Sequence, residues 1–237
     1  METPLRALNA LLMILLPVAL AAALRRRYRV PWSLVGWGAV TFIGAQLVHV
    51  PLLGLVTLMF RGVSRDPFVL AHALLINAVI LGLAAGVCEE GARWAGYRWL
   101  VPWARRWPEG LMLGAGHGGA EAVILGALAG WSLFSSVDAG LVGAGRGLMP
   151  LLGSVERVSA LADHLALSVL VLQVFVRGRL YWLAVAVGWH ALLDGVAVYV
   201  ARLVSPVAVE GILALFGAAS VLIVIALRRE PEAAGRS

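Results

Sequence analysis

Apolar residues gather along this chain into seven long runs, at 5–24, 32–60, 68–87, 111–134, 158–176, 180–203 and 207–227. Between them lie short segments carrying arginine, glycine and proline. An α-helix needs about 20 mostly apolar residues to cross the hydrocarbon core of a bilayer, and each run supplies close to that. The pattern predicts an all-α, polytopic membrane bundle of about seven transmembrane helices. It reads as one integral-membrane domain over 1–229 with a short polar cytoplasmic tail at 230–237. The second run is over-long and contains Pro51, which predicts a kink or a partial re-entrant turn. In the third, the polar residues recur at helical spacing, so helix is expected to continue through Tyr97 and Leu100.

Composition narrows the function classes. The 237 residues are 61% hydrophobic and 14% charged, whereas a soluble domain runs at roughly 45–50% apolar and about 25% charged. That balance excludes a soluble enzyme. The formal charge is +6, and every one of the 19 basic residues is an arginine. Those arginines sit in loop clusters between apolar runs, which fits membrane topology and excludes a nucleic-acid partner. Arg25, Arg26, Arg27 and Arg29, then Arg98, Arg105 and Arg106, then Arg177 and Arg179, then Arg228, Arg229 and Arg236 fall at one set of helix ends. Arg6, Arg61, Arg65, Arg146, Arg157 and Arg202 fall at the other. The bias predicts a protein of the cell membrane with its amino terminus outside and its carboxyl terminus in the cytoplasm. The first run ends in an arginine cluster and is read as a retained helix. Cys88, the single cysteine, permits no internal disulfide and no thiol cluster.

The ionisable residues retained inside the runs carry the chemistry. A charged side chain at mid-membrane costs on the order of 2.5–3.5 kcal/mol even on lenient scales. This chain keeps Glu89, Glu90 and Arg93 at the end of the third run, His117 and Glu121 in the fourth, His164 in the fifth, and His190 and Asp194 in the sixth. Glu89 with Arg93, His117 with Glu121, and His190 with Asp194 are each four residues apart, so each pair shares a helix face. Alternating topology brings all of them to similar depth, and a polar cavity opening toward the cytoplasm is expected. Carboxylates and histidines gathered in this way suit water activation, ligation of a divalent metal with zinc as a candidate, or a proton relay. Glu156 and Arg157 read as an ion pair at a helix entry, and Gln46, His49, His72 and Asn77 as packing residues. A non-catalytic scaffold subunit and a proton- or ion-coupled transporter are the alternative classes. The His-Glu-x-x-His signature of zincins is absent from the sequence.

Taken in order, Glu89-Glu90-x-x-Arg93, Gly116-His117-Gly118-Gly119-x-Glu121, Glu156-Arg157 with His164 seven residues on, and His190-x-x-x-Asp194 resemble the YhfC family of intramembrane metalloproteases. The likeness extends more distantly to the CAAX-processing and bacteriocin-processing proteases and to PrsW. The resemblance implies an intramembrane endopeptidase acting on a membrane-anchored or apolar peptide. It implies that Glu89 or Glu90 activates the attacking water, with Arg93, His190 and Asp194 assisting. By the same likeness Glu121, His164 and His190 surround the scissile carbonyl, as oxyanion stabilisers, or a metal, as its ligands; His117, which stands where the wider superfamily often has phenylalanine, adds a further candidate ligand. Asp194 stands where CAAX-type enzymes usually carry asparagine.

Overall fold

The computed structural model describes residues 2–63, 67–134 and 149–228. Seven helices follow one another: α1 (Glu2–Tyr28), α2 (Ser33–Val63), α3 (Pro67–Ala95), α4 (Trp107–Ser132), α5 (Leu152–Val176), α6 (Tyr181–Val200) and α7 (Pro206–Ala226). All seven are long and apolar enough to span a membrane, and no strand occurs among the described residues. Arg65, Arg146, Arg229, Arg236 and the tail expected at 230–237 lie outside the described residues.

The boundaries depart from the apolar runs where capping intervenes. α4 starts at Trp107, four residues before its apolar run, because Glu109 closes the first turn. Its carboxylate accepts the backbone N–H of Arg105 at 2.8 Å and of Arg106 at 2.9 Å, satisfying donors that a helix start leaves open. α5 starts at Leu152, six residues before its run. Its cap comes from α1, where Asn9 Oδ1 accepts the Ser154 N–H at 2.7 Å. Glu156 and Arg157 therefore sit inside α5, not at its mouth. α2 runs unbroken through Pro51, so the re-entrant turn does not form; membrane helices tolerate proline when local adjustment re-satisfies the freed carbonyl. α3 does continue through Leu100, but its last turn widens to a π-helix over Gly96–Leu100.

α4 and α5 are the most enclosed spans. α4 packs against α1, α2 and α5, α3 against α2 and α6, and α5 also against α6 and α7. Small residues set the spacing, as is usual where lipid supplies no hydrophobic drive between helices. A Cβ on Gly118 would stand 2.5 Å from His164 Cδ2, and one on Gly116 2.6 Å from the Val35 Cα. Glycine there lets α4 touch α5 on one side and α2 on the other. At the ends carrying the arginine clusters, Leu24, Val30, Leu34, Val101, Leu111 and Leu172 belong to one buried apolar core. That core closes this end of the bundle.

Candidate metal centre

Helix lengths bring the polar residues level. Glu89 lies eleven residues before Leu100, His117 ten after Trp107, His164 twelve before Val176 and His190 nine after Tyr181. At 1.5 Å per residue, all four stand about 14–18 Å from the arginine-rich end, close to the middle of a bilayer core. Glu90, Arg93 and His117 are fully buried, and Glu89, His164 and His190 nearly so.

Adjacent residues on a helix point about 100° apart, and the two glutamates of α3 serve different neighbours. Glu89 faces α2 and α4. Its Oε1 accepts from Gln46 Nε2 at 3.1 Å, and its Oε2 stands 3.1 Å from His117 Nε2. Glu90 faces α6, where its Oε1 lies 2.7 Å from His190 Nδ1 and also accepts from Arg93 Nη1. Arg93 Nη2 donates to His164 Nδ1 at 2.5 Å, and His164 Nε2 in turn lies 2.6 Å from Glu121 Oε2. Glu121 Oε1 accepts from Arg157 Nη1 at 2.5 Å, and Arg157 Nη2 donates to Glu156. His190 Nε2 is 3.4 Å from Asp194 Oδ2 and 4.0 Å from Glu89 Oε2. Of the three pairs spaced four residues apart, only His190 with Asp194 is itself a close pair. The other pairs split: His117 reaches Glu89, Glu121 reaches α5, and Arg93 takes Glu90, three residues away, as its carboxylate partner.

Ligand atoms of Glu89, His117 and His164 all lie within 4.8 Å of one another, each from a buried residue. Glu121 and His190 stand just outside this trio, as partners of His164 and of Glu90. Counting hydrogens tests whether the trio suits a cation. Thr41 has one hydroxyl hydrogen, donated to the Gly38 carbonyl at 2.7 Å. Its Oγ1, 2.9 Å from His117 Nδ1, therefore accepts, and Nδ1 carries the proton of the neutral ring. His117 Nε2 then presents a lone pair to the Glu89 carboxylate at 3.1 Å. Two acceptors at that distance need a proton or a cation between them, and the spacing suits a cation, because two ligands of one tetrahedral ion with bonds near 2.0 Å are separated by about 3.3 Å. The donor set, one carboxylate and two imidazoles, suits a borderline divalent ion such as zinc once His164, whose Nδ1 accepts from Arg93 and whose Nε2 faces Glu121, exchanges one of those contacts for the ion.

A cavity of about 340 Å³ adjoins the trio, lined among others by Gln46, Glu89, Glu121, His164 and Asp194. Glu90 is not part of the lining. From the trio the lining continues through His49, Leu125, Arg157 and Ala197, all nearer the helix ends opposite the arginine clusters. The expected opening toward the arginine-rich side is thus corrected: the apolar core fills that half, and the free space lies in the other.

Four residues of this region escaped the sequence reading or were given smaller parts in it. Gln46, read as packing, holds Glu89. Arg157, read as a helix-entry ion pair, does bind Glu156 but also ties Glu121 into the network. Thr41 offered no signal, since a threonine bonded to its own helix is ordinary in a membrane span. Asp163 could have been found by the same desolvation argument as its neighbour His164. It is buried and lines the cavity, and it accepts from Ser220 Oγ at 2.5 Å, which itself takes the Trp189 Nε1–H at 2.9 Å. His72 and Asn77 are exposed and stay outside the cavity lining.

A family model described as YhfC intramembrane metalloprotease matches residues 12–140 and 146–216. The chain belongs to that family. The first matched YhfC segment carries Thr41, Gln46, Glu89, Glu90, Arg93, His117 and Glu121, and the second carries Arg157, His164, His190 and Asp194. The "Uncharacterized membrane protein YhfC" of Bacillus subtilis (strain 168) is similar throughout, 31% identical over 255 residues that cover 94% of this chain and 95% of that protein. No solved structure matches.

Proposed function

We propose that this integral membrane protein is an intramembrane metallopeptidase that hydrolyses a peptide bond of a membrane-anchored or apolar substrate. The observation that carries the reading is the convergence of Glu89, His117 and His164 at mid-membrane depth, beside a cavity of about 340 Å³. The family's description as a metalloprotease supports it. Glu89, His117 and His164 hold a divalent ion, zinc being the candidate. Such an ion supplies Lewis acidity, making water acidic near neutral pH and polarising a carbonyl oxygen.

The chain's own groups do the proton work. Glu89 is the member of the glutamate pair that meets the cavity, so it is the carboxylate positioned to hold the attacking water. His190 carries the proton. Glu90, locked by Arg93, accepts its Nδ1–H and leaves Nε2 facing Glu89 and Asp194. His190 Nε2 takes a proton as the water attacks and returns it to the leaving amine, while Asp194 stabilises the imidazolium between those events. Arg157 pairs with Glu121, and Glu121 holds the Nε2 side of the His164 ring. The arginine-rich helix ends face the cytoplasm of the cell membrane, and the cavity extends from the centre toward the opposite side.

The test is cleavage of a quenched-fluorescent apolar peptide by zinc-loaded protein in proteoliposomes. Glu89→Gln and His190→Gln are expected to lower the rate by at least ~10³-fold, the scale on which single catalytic groups act. Undiminished cleavage by both variants contradicts the assignment.

A further inference from the structure

The trio around Glu89 needs the correct nitrogen of His117 to face it, and two features of α2 determine which one does. Thr41 is buried, with its Oγ1 2.9 Å from His117 Nδ1. That hydroxyl has only one hydrogen, and the 2.7 Å bond to the Gly38 carbonyl takes it. The next residue, Phe42, meets the His117 ring edge-on, with centroids 5.3 Å apart and planes at 79°. Gly38 itself lies against α4: a Cβ there would fall 2.7 Å from the His117 backbone nitrogen. One turn of α2 thus supplies the acceptor for Nδ1–H, the carbonyl that commits the hydroxyl, and the ring that braces the imidazole.

We infer that Thr41 is the positioning residue of the metal centre, fixing His117 as the Nδ1–H tautomer so that its Nε2 lone pair points to the ion shared with Glu89. The role deepens the metallopeptidase reading and rests on it for the identity of the site. Outer partners that hold a ligand imidazole in one tautomer typically change metal affinity by about 10–100-fold when removed. Threonine does this from the side chain of a neighbouring helix, where many sites use a carboxylate or a carbonyl. Thr41→Val keeps the shape and removes the acceptor. Thr41→Ser keeps the hydroxyl.

The experiment has two readouts, and neither uses a substrate. In metal-free protein labelled with ¹⁵N at histidine, at pH 8, the His117 signals are assigned by their loss in His117→Gln. The expected pattern is a protonated Nδ1, kept in Thr41→Ser and lost in Thr41→Val, with Nε2 and Glu89 sharing a proton while the ion is absent. Titration with Co²⁺ as the spectroscopic probe is expected to show binding weakened about 10–100-fold in Thr41→Val and unchanged in Thr41→Ser. An unprotonated Nδ1 in the metal-free wild type overturns the inference. So does Thr41→Val protein that binds Co²⁺ as tightly as wild type. Protein that behaves as expected in both readouts yet cleaves no peptide keeps Thr41 in this role and overturns the peptidase reading instead. Cleavage with an unaltered Thr41→Val titration does the reverse.

Discussion

Glu90 and Arg93, both fully buried, form an ion pair within one turn of α3, and each passes its remaining bonding capacity to a different histidine. Glu90 reaches His190 on α6 and Arg93 reaches His164 on α5. A charge pair in a bilayer is expensive to assemble, and removing one member is worse than removing both. Glu90→Leu is therefore expected to destabilise the protein by about 3–5 kcal/mol, and Glu90→Leu with Arg93→Met to recover much of that loss. Thermal unfolding in detergent checks both. A double variant no more stable than the single contradicts the pairing.

The same logic grades the other carboxylates. Asp194 keeps a third of its side chain accessible, and its contact with His190 is a long 3.4 Å. Asp194→Asn is expected to change stability by no more than about 1 kcal/mol while slowing peptide cleavage, because the imidazolium loses its counter-charge. Parallel unfolding and rate measurements separate the two effects.

Arg157 spans Glu121 and Glu156 with both terminal nitrogens. Lysine offers a single point charge and cannot reproduce that fork. Arg157→Lys is expected to retain the fold and weaken binding of the metal by way of Glu121 and His164. Arg157→Met, which leaves Glu121 without its cation, is expected to cost about 3–5 kcal/mol of stability. Unfolding and Co²⁺ titration of both variants provide the check.

Two glycines predict opposite outcomes. Gly44 meets nothing within 4 Å of an added Cβ, so Gly44→Ala should stabilise α2 by up to about 1 kcal/mol. At Gly118 the added carbon would press on the His164 ring. Gly118→Ala should displace that ligand and lower metal affinity more than it lowers the melting temperature. Similar effects at the two sites would remove the argument that α4 is shaped around His164.

Much of this architecture was legible before any coordinates. A bilayer makes every span announce itself as an apolar run, and a buried charge in such a run is conspicuous because it is so costly. Glu89, Glu90, Arg93, His117, Glu121, His164, His190 and Asp194 therefore stood out, and their common depth followed from counting residues along each span. Their pairing was hidden. Spacing of four residues shows which side chains share a face of one helix, yet His117 and Glu121 choose partners on α3 and α5 because those helices bring stronger acceptors and donors within reach. Thr41 gives no hydropathy signal and Gln46 stands out only as a lone polar residue, so their place beside His117 and Glu89 required the packing of α2 on α3 and α4. The side on which the cavity lies depends on which half of the bundle fills with bulky residues. That is a property of helix approach and not of any one segment.

Whether Glu89, His117 and His164 form a metal centre is decided by metal content and X-ray absorption on zinc-reconstituted, dialysed protein. The expected result is one zinc per chain in a shell of nitrogen and oxygen, with bonds of about 2.0–2.1 Å and no sulfur from Cys88. Loss of that zinc is expected in Glu89→Ala, His117→Gln and His164→Gln. Zinc retained at full occupancy in all three variants, or a wild-type chain that cleaves peptide while holding no metal, contradicts the metal centre.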